Sequence, residues 1–180
     1  MAGSLPRLIG PNVELRPPIA TDIENRLALG NDPEIHRMFG GSRAQLVPMT
    51  IEGARRWVGR IADHPLAWII ARNELIGEIR LDRVDLNDRR ASLAIGIVDP
   101  RALGKGYGTE AIRLVLGYAF RDLALHRVSV RVLAYNARAI RAYEKCGFVV
   151  EGREREAAHV DDEWHDDVIM GVLGREYRVG

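Results

Sequence analysis

The sequence predicts a single domain of the mixed α/β class. Its 180 residues are enough for one domain with a real hydrophobic core. Hydrophobic residues make up 47% of the chain and charged residues 28%, both within the range of ordinary globular proteins. Short alternating apolar segments and segments of helical periodicity follow one another without a repeat or an interdomain linker. This order favours one mixed sheet flanked by helices.

The first predicted elements are a short strand and two helices. The pattern from Val13 to Arg16 is typical of a strand, and Pro17-Pro18 ends it. Thr21 is the predicted N-cap of a helix from Asp22 to about Leu29, because acidic residues follow it in the first turn. A second helix is predicted from Thr50 to about Ala62.

The segment from Asn31 to Pro48 separates these two helices and is rich in glycine, proline and polar residues. That composition predicts a mobile loop with at most a helical turn. On the second helix, Trp57, Val58 and Ile61 fall at helical spacing and predict its buried stripe.

A hairpin and a further strand follow. Two apolar segments, Ala67 to Ala71 and Leu75 to Leu81, are separated by Arg72-Asn73-Glu74 and predict paired strands. Leu86 to Arg90 is a charged turn. It leads into an uncharged strand from Ala91 to Val98.

A glycine-rich loop from Arg101 to Glu110 joins that strand to a helix that runs from Ala111 to about Arg121. Its glycines allow backbone N–H groups to approach a ligand closely, and a helix N-terminus adds unpaired N–H groups and a positive dipole end. Together they predict an anion site suited to phosphate. The loop has neither Walker nor dinucleotide-fingerprint spacing, so a nucleotide-binding protein is the weaker alternative. Taken alone, the loop could equally be a structural turn.

The faces of the neighbouring elements extend this prediction. The small residues Ser92, Ala94 and Gly96 share one face of the strand with Val98, which leaves room for a ligand or for a closely packed helix. On the following helix, a narrow solvent-exposed stripe is predicted at Glu110, Arg113, Gly117 and Arg121.

The last part of the chain contributes three strands and a helix. Arg127 to Leu133 alternates with period two and predicts a strand. Asn136 caps a helix that ends at Gly147. Phe148 to about Glu154 and Trp164 to about Leu173 predict the last two strands, with a turn near Asp161-Asp162.

Side chains on that last helix suit a phosphate-bearing ligand. Tyr143 lies on the same face as Asn136, where it is either core packing or an acid that protonates a leaving thiolate. Arg138, Arg141 and Lys145 lie on another face and could meet phosphates or solvent.

Composition also predicts what the chain does not do. The net charge of +1 gives no argument for nucleic acid or an anionic membrane, and no apolar run approaches the length of a membrane helix. Met1 to Gly10 contains no apolar stretch of secretory length, and Cys146 is the single cysteine, so neither an intramolecular disulfide nor a Cys-rich metal site is expected. A cytoplasmic location is therefore predicted.

Two motifs carry a resemblance to a known family. Arg101-Ala-Leu-Gly104-Lys-Gly106 matches an Arg/Gln-x-x-Gly-x-Gly/Ala signature, and Asn136 to Phe148 matches Asn-x-x-Ala-x-x-x-Tyr-x-x-x-Gly-Phe. The chain resembles the GNAT N-acetyltransferases, and within them the RimJ/RimL type, which its ending from Gly152 to Leu173 also resembles.

The resemblance implies one N-acetyltransferase domain over residues 1–180, with a core from about 13 to 177. It implies a mixed, mostly antiparallel sheet in which two parallel strands splay apart to bind acetyl-CoA, here Ala91 to Val98 and Arg127 to Leu133. Metal is not expected. The implied cofactor-binding residues are Ile97, Val98, Arg101, Leu103, Gly104, Lys105, Gly106, Tyr107, Gly108, Thr109, Asn136, Arg138 and Tyr143.

The resemblance further implies direct attack of a neutral amine on the acetyl thioester. Tyr143 would protonate the departing thiolate, and a backbone N–H near Ile97 would polarise the carbonyl. The position where many relatives carry a basic Glu is Ser92, which cannot act as a base unaided. The other candidate bases are Glu78, His165 and Asp166.

The acceptor is expected to be a primary amine: a protein N-terminus, a polyamine, an antibiotic or another small amine. The early helices, the loop from Asn31 to Pro48 and the last hairpin would line its pocket. The carboxylates near the last turn could attract a cationic amine or be solvated: Asp161, Asp162, Glu163, Asp166 and Asp167. A non-catalytic acyl-CoA-binding or regulatory domain is the alternative, and the sequence leaves a homodimer open.

Overall fold

The computed structural model describes residues 5–177. Of the predictions above, the single domain over 1–180 and the segment Met1 to Gly10 extend beyond it, at residues 1–4 and 178–180. The strands are β1 (Leu8–Ile9), β2 (Glu14–Arg16), β3 (Ala67–Arg72), β4 (Glu74–Asp85), β5 (Arg90–Ile97), β6 (Arg127–Leu133), β7 (Val149–Val160) and β8 (Glu163–Leu173). The helices are α1 (Asp22–Leu29), α2 (Pro33–Met38), α3 (Ile51–Ala62), α4 (Tyr107–Arg121) and α5 (Ala137–Lys145), with short 3-10 turns at Arg43–Gln45 and Pro100–Ala102.

The strands form one 8-stranded sheet in the order β1-β2-β3-β4-β5-β6-β8-β7. Within the described residues, β5 and β6 are the one parallel pair, which confirms the predicted mixed, mostly antiparallel sheet. These two strands pair only from Arg90 to Ser92 on β5 and from Arg127 to Ser129 on β6. Beyond that point they diverge, as the resemblance implies.

Helices cover both faces of the sheet. Trp68 and Ile70 of β3 lie in the main core beneath α4, where the Trp68 ring meets Tyr118 edge to face. Ile69 and its alternate neighbours face the other way and pack with Ile61 of α3 in a second core. The sheet therefore separates an α4/α5 layer from an α1/α3 layer, and the opening between β5 and β6 connects them.

The predicted start of α1 is right, but its predicted cap is wrong. Thr21 has helical backbone angles, and its side chain accepts no capping hydrogen bond. The fully buried Asp22 instead accepts the N–H of Ile19 at 2.8 Å and pairs with Arg16 at 2.8 and 2.9 Å. A charge-assisted pair between strand and helix thus fixes this turn.

The segment from Asn31 to Pro48 is more ordered than its composition predicts. Asp32 caps α2 by accepting the N–H of Ile35 at 2.9 Å, and Pro33 occupies the first helical position. On α3, Val58 and Ile61 are buried as predicted, but Trp57 is only half-buried, and Ala54 completes the buried stripe.

Helix α4 begins at Tyr107, earlier than the predicted Ala111. Its predicted solvent stripe is wrong at Gly117, which is buried. It is also wrong at Glu110, whose carboxylate is half-buried and accepts the N–H groups of Asn12 and Val13 at 2.8 and 3.0 Å. Burial opposes ionisation of Glu110, but these bonds outweigh it and lower its pKa.

No helix within residues 5–177 is long and apolar enough to cross a membrane.

Candidate active site

A cavity of about 780 Å³ opens where β5 and β6 diverge. Ile95 and Ile97 line it from β5, Val132 and Leu133 line it from β6, and the glycine-rich loop closes one end. A cavity of this volume suits an extended organic molecule. We call it the first cavity.

The unpaired edge of β5 presents backbone groups to this cavity. Val98 N–H donates to Ile76 O at 2.9 Å, so it points toward β4 and is unavailable to a ligand there. Successive N–H groups of a strand alternate between its two edges, so the N–H of Ile97 points toward the open side. Of the two residues predicted to pair with a ligand backbone, the geometry favours Ile97, because Val98 lines a different cavity.

The glycine-rich loop forms an anion cradle at the N-terminus of α4. Gly104 and Gly106 have φ values of +74° and +84°, in the left-handed region that glycine adopts without strain. Within residues 5–177, the backbone N–H groups of 104–109 have no acceptor, whereas Leu103 N–H already donates to Pro100 O at 3.3 Å. Unpaired N–H groups at a helix start bind phosphate groups.

Exposed cations lie around this cradle. Arg138, Arg141 and Lys145 of α5 line the first cavity. Arg101 does not line it, because its guanidinium pairs with Asp99 at 3.0 and 3.1 Å. Burial would raise the pKa of Asp99, but the bonds from Arg101 lower it overall. Lys105 is exposed on the loop and also does not line the cavity.

Tyr143 of α5 lines the first cavity from its buried end. Its ring packs edge to face on Phe148, with centroids 5.5 Å apart, and only 6% of the residue is exposed. Burial raises the pKa of the Tyr143 phenol to about 12, with a smaller contribution from nearby Cys146. The hydroxyl therefore stays protonated at neutral pH and can donate a proton.

Asn136 caps α5 and lines the same cavity. Its Oδ1 accepts the N–H of Ala139 at 3.1 Å, and its Nδ2 donates to Met38 O at 3.3 Å. The side chain predicted to touch the cofactor thus also joins α2 to α5.

We expect Asn136→Ala to lower the free energy of unfolding by about 1–2 kcal/mol, because it removes a helix cap and a hydrogen bond to α2. Urea denaturation measures the loss. Arg138→Ala is the control, since Arg138 is exposed on the same helix and should change stability by less than about 0.5 kcal/mol. Equal stability of Asn136→Ala and the unmodified protein would contradict the capping role.

A second cavity, of about 410 Å³, lies against the opposite face of β4 and β5. Its wall includes Glu78 and Arg80 of β4, and Glu78 accepts a hydrogen bond from Arg80 at 3.2 Å. Glu78 lies directly opposite Gly96 in the sheet, so both point to one face. Gly96, the cross-strand partner of Glu78, directly precedes Ile97 on β5.

The two cavities adjoin. Ile35, Phe39, Ala94 and Ile95 line both of them. The Phe39 ring lies over Gly96, where a Cβ atom would approach it to 2.9 Å. A ligand end in the first cavity and a second molecule in the other can therefore meet at this junction.

The face of β5 that was predicted to carry small residues borders the second cavity and not the glycine-rich loop. Ala94, Gly96 and Val98 line it. Ser92 lines neither cavity, because it lies where β5 and β6 are still paired and its hydroxyl faces that of Ser129 at 3.5 Å.

His165 and Asp166 also lie outside both cavities. The His165 ring packs edge to face on Tyr135, with centroids 4.8 Å apart. Asp166 accepts from Arg153 at 3.0 Å and from the N–H of Glu156 at 2.9 Å, and the Glu156 N–H, followed by Arg153, lowers its pKa. Among the candidate bases, the structure brings only Glu78 to a cavity wall.

Sequence reasoning expected the segment from Asn31 to Pro48 to line the acceptor pocket, but it missed the helix α2 within that segment. Ile35, His36 and Phe39 come from the segment predicted as a loop, and all three line the second cavity. The signal was available, because an Asp followed by a Pro at the first helical position favours a helix start.

Comparison with known proteins agrees with this geometry. The family described as "Acetyltransferase (GNAT) domain" matches residues 12–149. The "Probable N-acetyltransferase YjcK" of Bacillus subtilis is 29% identical over 175 residues, which cover 92% of this chain and 96% of that protein. A second Bacillus subtilis protein, YdaF, is named provisionally as a ribosomal N-acetyltransferase and is 32% identical over 62% of this chain and 60% of its own length.

A third relative is the spermidine N(1)-acetyltransferase of Vibrio cholerae, 34% identical over 59% of this chain and 61% of that protein. A solved structure of the spermidine N-acetyltransferase from Vibrio cholerae, in complex with CoA and spermine, superposes with a TM-score of 0.76 at 24% identity. The superposition covers 93% of this chain and 99% of that one, which shows the shared fold. The chain belongs to the GNAT family of N-acetyltransferases, which take their acetyl group from acetyl-CoA.

Proposed function

We propose that acetyl-CoA occupies the first cavity and that a primary amine, held in the second cavity, attacks its acetyl group directly in a ternary complex. The observation that carries this proposal is the junction of the two cavities beside Gly96 and Phe39. A ternary complex at this junction holds both reactants in attacking geometry, which lowers the entropic part of the barrier.

The first cavity fits acetyl-CoA on three features of this chain. The unpaired N–H groups of residues 104–109 would hold the pyrophosphate, and Arg138 with Lys145 would balance its charge. Other backbone groups along the open edge of β5 would pair with the pantetheine amides. When bound, acetyl-CoA supplies an activated thioester.

Glu78 is the proposed general base. An ammonium has no lone pair, so the acceptor must lose a proton before it can attack. Glu78 lines the second cavity, and its ion pair with Arg80 at 3.2 Å keeps the carboxylate oriented along β4. Ser92, at the position where many relatives carry Glu, is too far along β5 to line the cavity and is not proposed as a base.

Two groups complete the proposed chemistry. The N–H of Ile97, on the open edge of β5, would stabilise negative charge that develops on the acetyl oxygen. Tyr143, protonated at neutral pH, would donate its proton to the departing thiolate sulfur.

The finer family placement is RimJ/RimL, which the name of YdaF supports. That placement admits protein N-termini and small amines as acceptors. The names of the spermidine acetyltransferases add polyamines to this set.

Thermal shift with acetyl-CoA, CoA and ATP tests the cofactor, and release of CoA in the presence of amines tests the reaction. We expect acetyl-CoA and CoA to raise Tm in proportion to the logarithm of their excess over Kd. Stabilisation by ATP alone would contradict the proposal. Stabilisation by acetyl-CoA without CoA release for any amine would favour the non-catalytic acyl-CoA-binding alternative.

A further inference from the structure

We infer that the acceptor is a small primary amine that also carries an anionic group, such as a carboxylate. The inference rests on the proposed function, because it takes the second cavity as the acceptor site. It adds the chemical class of the molecule held there.

Basic side chains outnumber acidic ones around the second cavity. Its basic residues are Arg26, His36, Arg60 and Arg80, and its acidic residues are Asp32 and Glu78. Arg80 pairs with Glu78 at 3.2 Å and also with Asp82 at 3.0 Å, so its charge is compensated. Asp32 accepts only a backbone N–H, which does not neutralise its carboxylate. Arg26 and Arg60 form no ion pair within the described residues, so two unpaired cations face one unpaired carboxylate, which favours an anionic ligand.

Arg26 is the buried member of this set. Only 6% of it is exposed, and its guanidinium lies 5.4 Å from the centre of the Trp57 ring. Its two Nη atoms donate to Gly30 O and, at 2.8 Å, to Asn31 Oδ1. Within residues 5–177 its Nε is buried without an acceptor. A buried donor without a partner costs free energy, which an anionic ligand would recover.

Arg60 lies at the rim of the same cavity, on α3. Its side chain is exposed and forms no ion pair within the described part of the chain. Arg26 and Arg60 can therefore bind one carboxylate between them, since the guanidinium group matches carboxylate geometry. The amine of the same molecule would then face Glu78.

A polycation fits this wall poorly. None of the five carboxylates expected to attract one lines the second cavity, and three of them pair with arginines: Asp161 with Arg37, Asp166 with Arg153, and Asp167 with Arg131. A second ammonium in the second cavity would instead meet the arginines. Like charges brought together there would oppose binding.

Matched acceptors test the inference in the 180-residue protein saturated with acetyl-CoA. The panel contains small amino acids, the carboxamide of each, and spermidine. The amine of each carboxamide is the less basic, so intrinsic reactivity does not favour the acid. We expect kcat/KM for at least one amino acid to exceed that of its amide by about tenfold or more, and to exceed that of spermidine.

Arg60→Gln provides the second arm, because it removes an exposed charge and should not prevent folding. We expect it to raise KM about tenfold for the amino acid and to leave KM for the amide unchanged. Arg56→Gln is the matched control, an exposed arginine on the same helix that does not line the cavity. Arg26→Lys should also raise KM for the amino acid and leave KM for the amide unchanged.

Two results would overturn the inference, and only the second would also contradict the proposed function. Faster turnover of amides or spermidine, with no effect of Arg60→Gln, would contradict the anionic acceptor while leaving the acetyltransferase intact. Absence of CoA release with every acceptor, despite binding of acetyl-CoA, would contradict the proposed function and with it this inference.

Discussion

Glu78→Gln is expected to lower kcat/KM at pH 7 by about 10²–10⁴-fold, because it removes the proposed general base while preserving side-chain size. Acetyl-CoA binding should not change, since Glu78 lines the second cavity and not the first. Steady-state CoA release and calorimetric titration with acetyl-CoA measure the two effects. The defect should shrink as pH rises, because more of the acceptor amine is then neutral without help.

Glu74→Gln is the matched control, an exposed carboxylate at the start of the same strand. It should leave kcat/KM within about twofold of the unmodified protein. A Glu78→Gln variant that turns over as fast as this control across the pH range would remove Glu78 from the mechanism.

Tyr143→Phe is expected to lower kcat by about 10²-fold or more and to leave Kd for acetyl-CoA nearly unchanged. The phenylalanine keeps the edge-to-face contact with Phe148, so the loss isolates the hydroxyl. Since burial raises the pKa of Tyr143 to about 12, we also expect no loss of activity from its ionisation below about pH 10.

Tyr118→Phe is the matched control, because it shows what removal of a tyrosine hydroxyl outside the site does to kcat. Burial raises the pKa of Tyr118 too, with a smaller contribution from Asp122, but Tyr118 lies on α4 against Trp68 and lines neither cavity. Its kcat should be unchanged. Equal kcat for Tyr143→Phe and Tyr118→Phe would exclude Tyr143 as the acid.

The parts of the site that are contiguous in sequence were predictable from it. The strand, loop and helix around Gly104 and Gly106 carry strong local signals: an uncharged run, glycines that accept positive φ, and a helix start. The same holds for α5, where Asn136 caps the helix as predicted and Tyr143 is buried. Local backbone chemistry determines these features, so no tertiary information was needed.

Features that depend on tertiary packing were not predictable in this way. Sequence reasoning named Glu78 as one of several candidate bases, but its register opposite Gly96, which brings it to a cavity wall, is specified by no local pattern in β4. The spacing placed Gly117 on the predicted solvent-exposed stripe of α4, but the residue is buried because Arg121 and Tyr177 cover it. The error at Gly117 reflects a contact with Tyr177, which helical periodicity does not encode.

We propose that acetyl-CoA lies between β5 and β6 with its pyrophosphate on the glycine-rich loop. A crystal structure of the protein with CoA tests it most directly. We expect the pyrophosphate oxygens within hydrogen-bond distance of N–H groups in residues 104–109, the pantetheine along the open edge at Ile97, and the sulfur beside Tyr143. CoA bound away from the opening between β5 and β6, with the loop N–H groups uncontacted, would contradict the account.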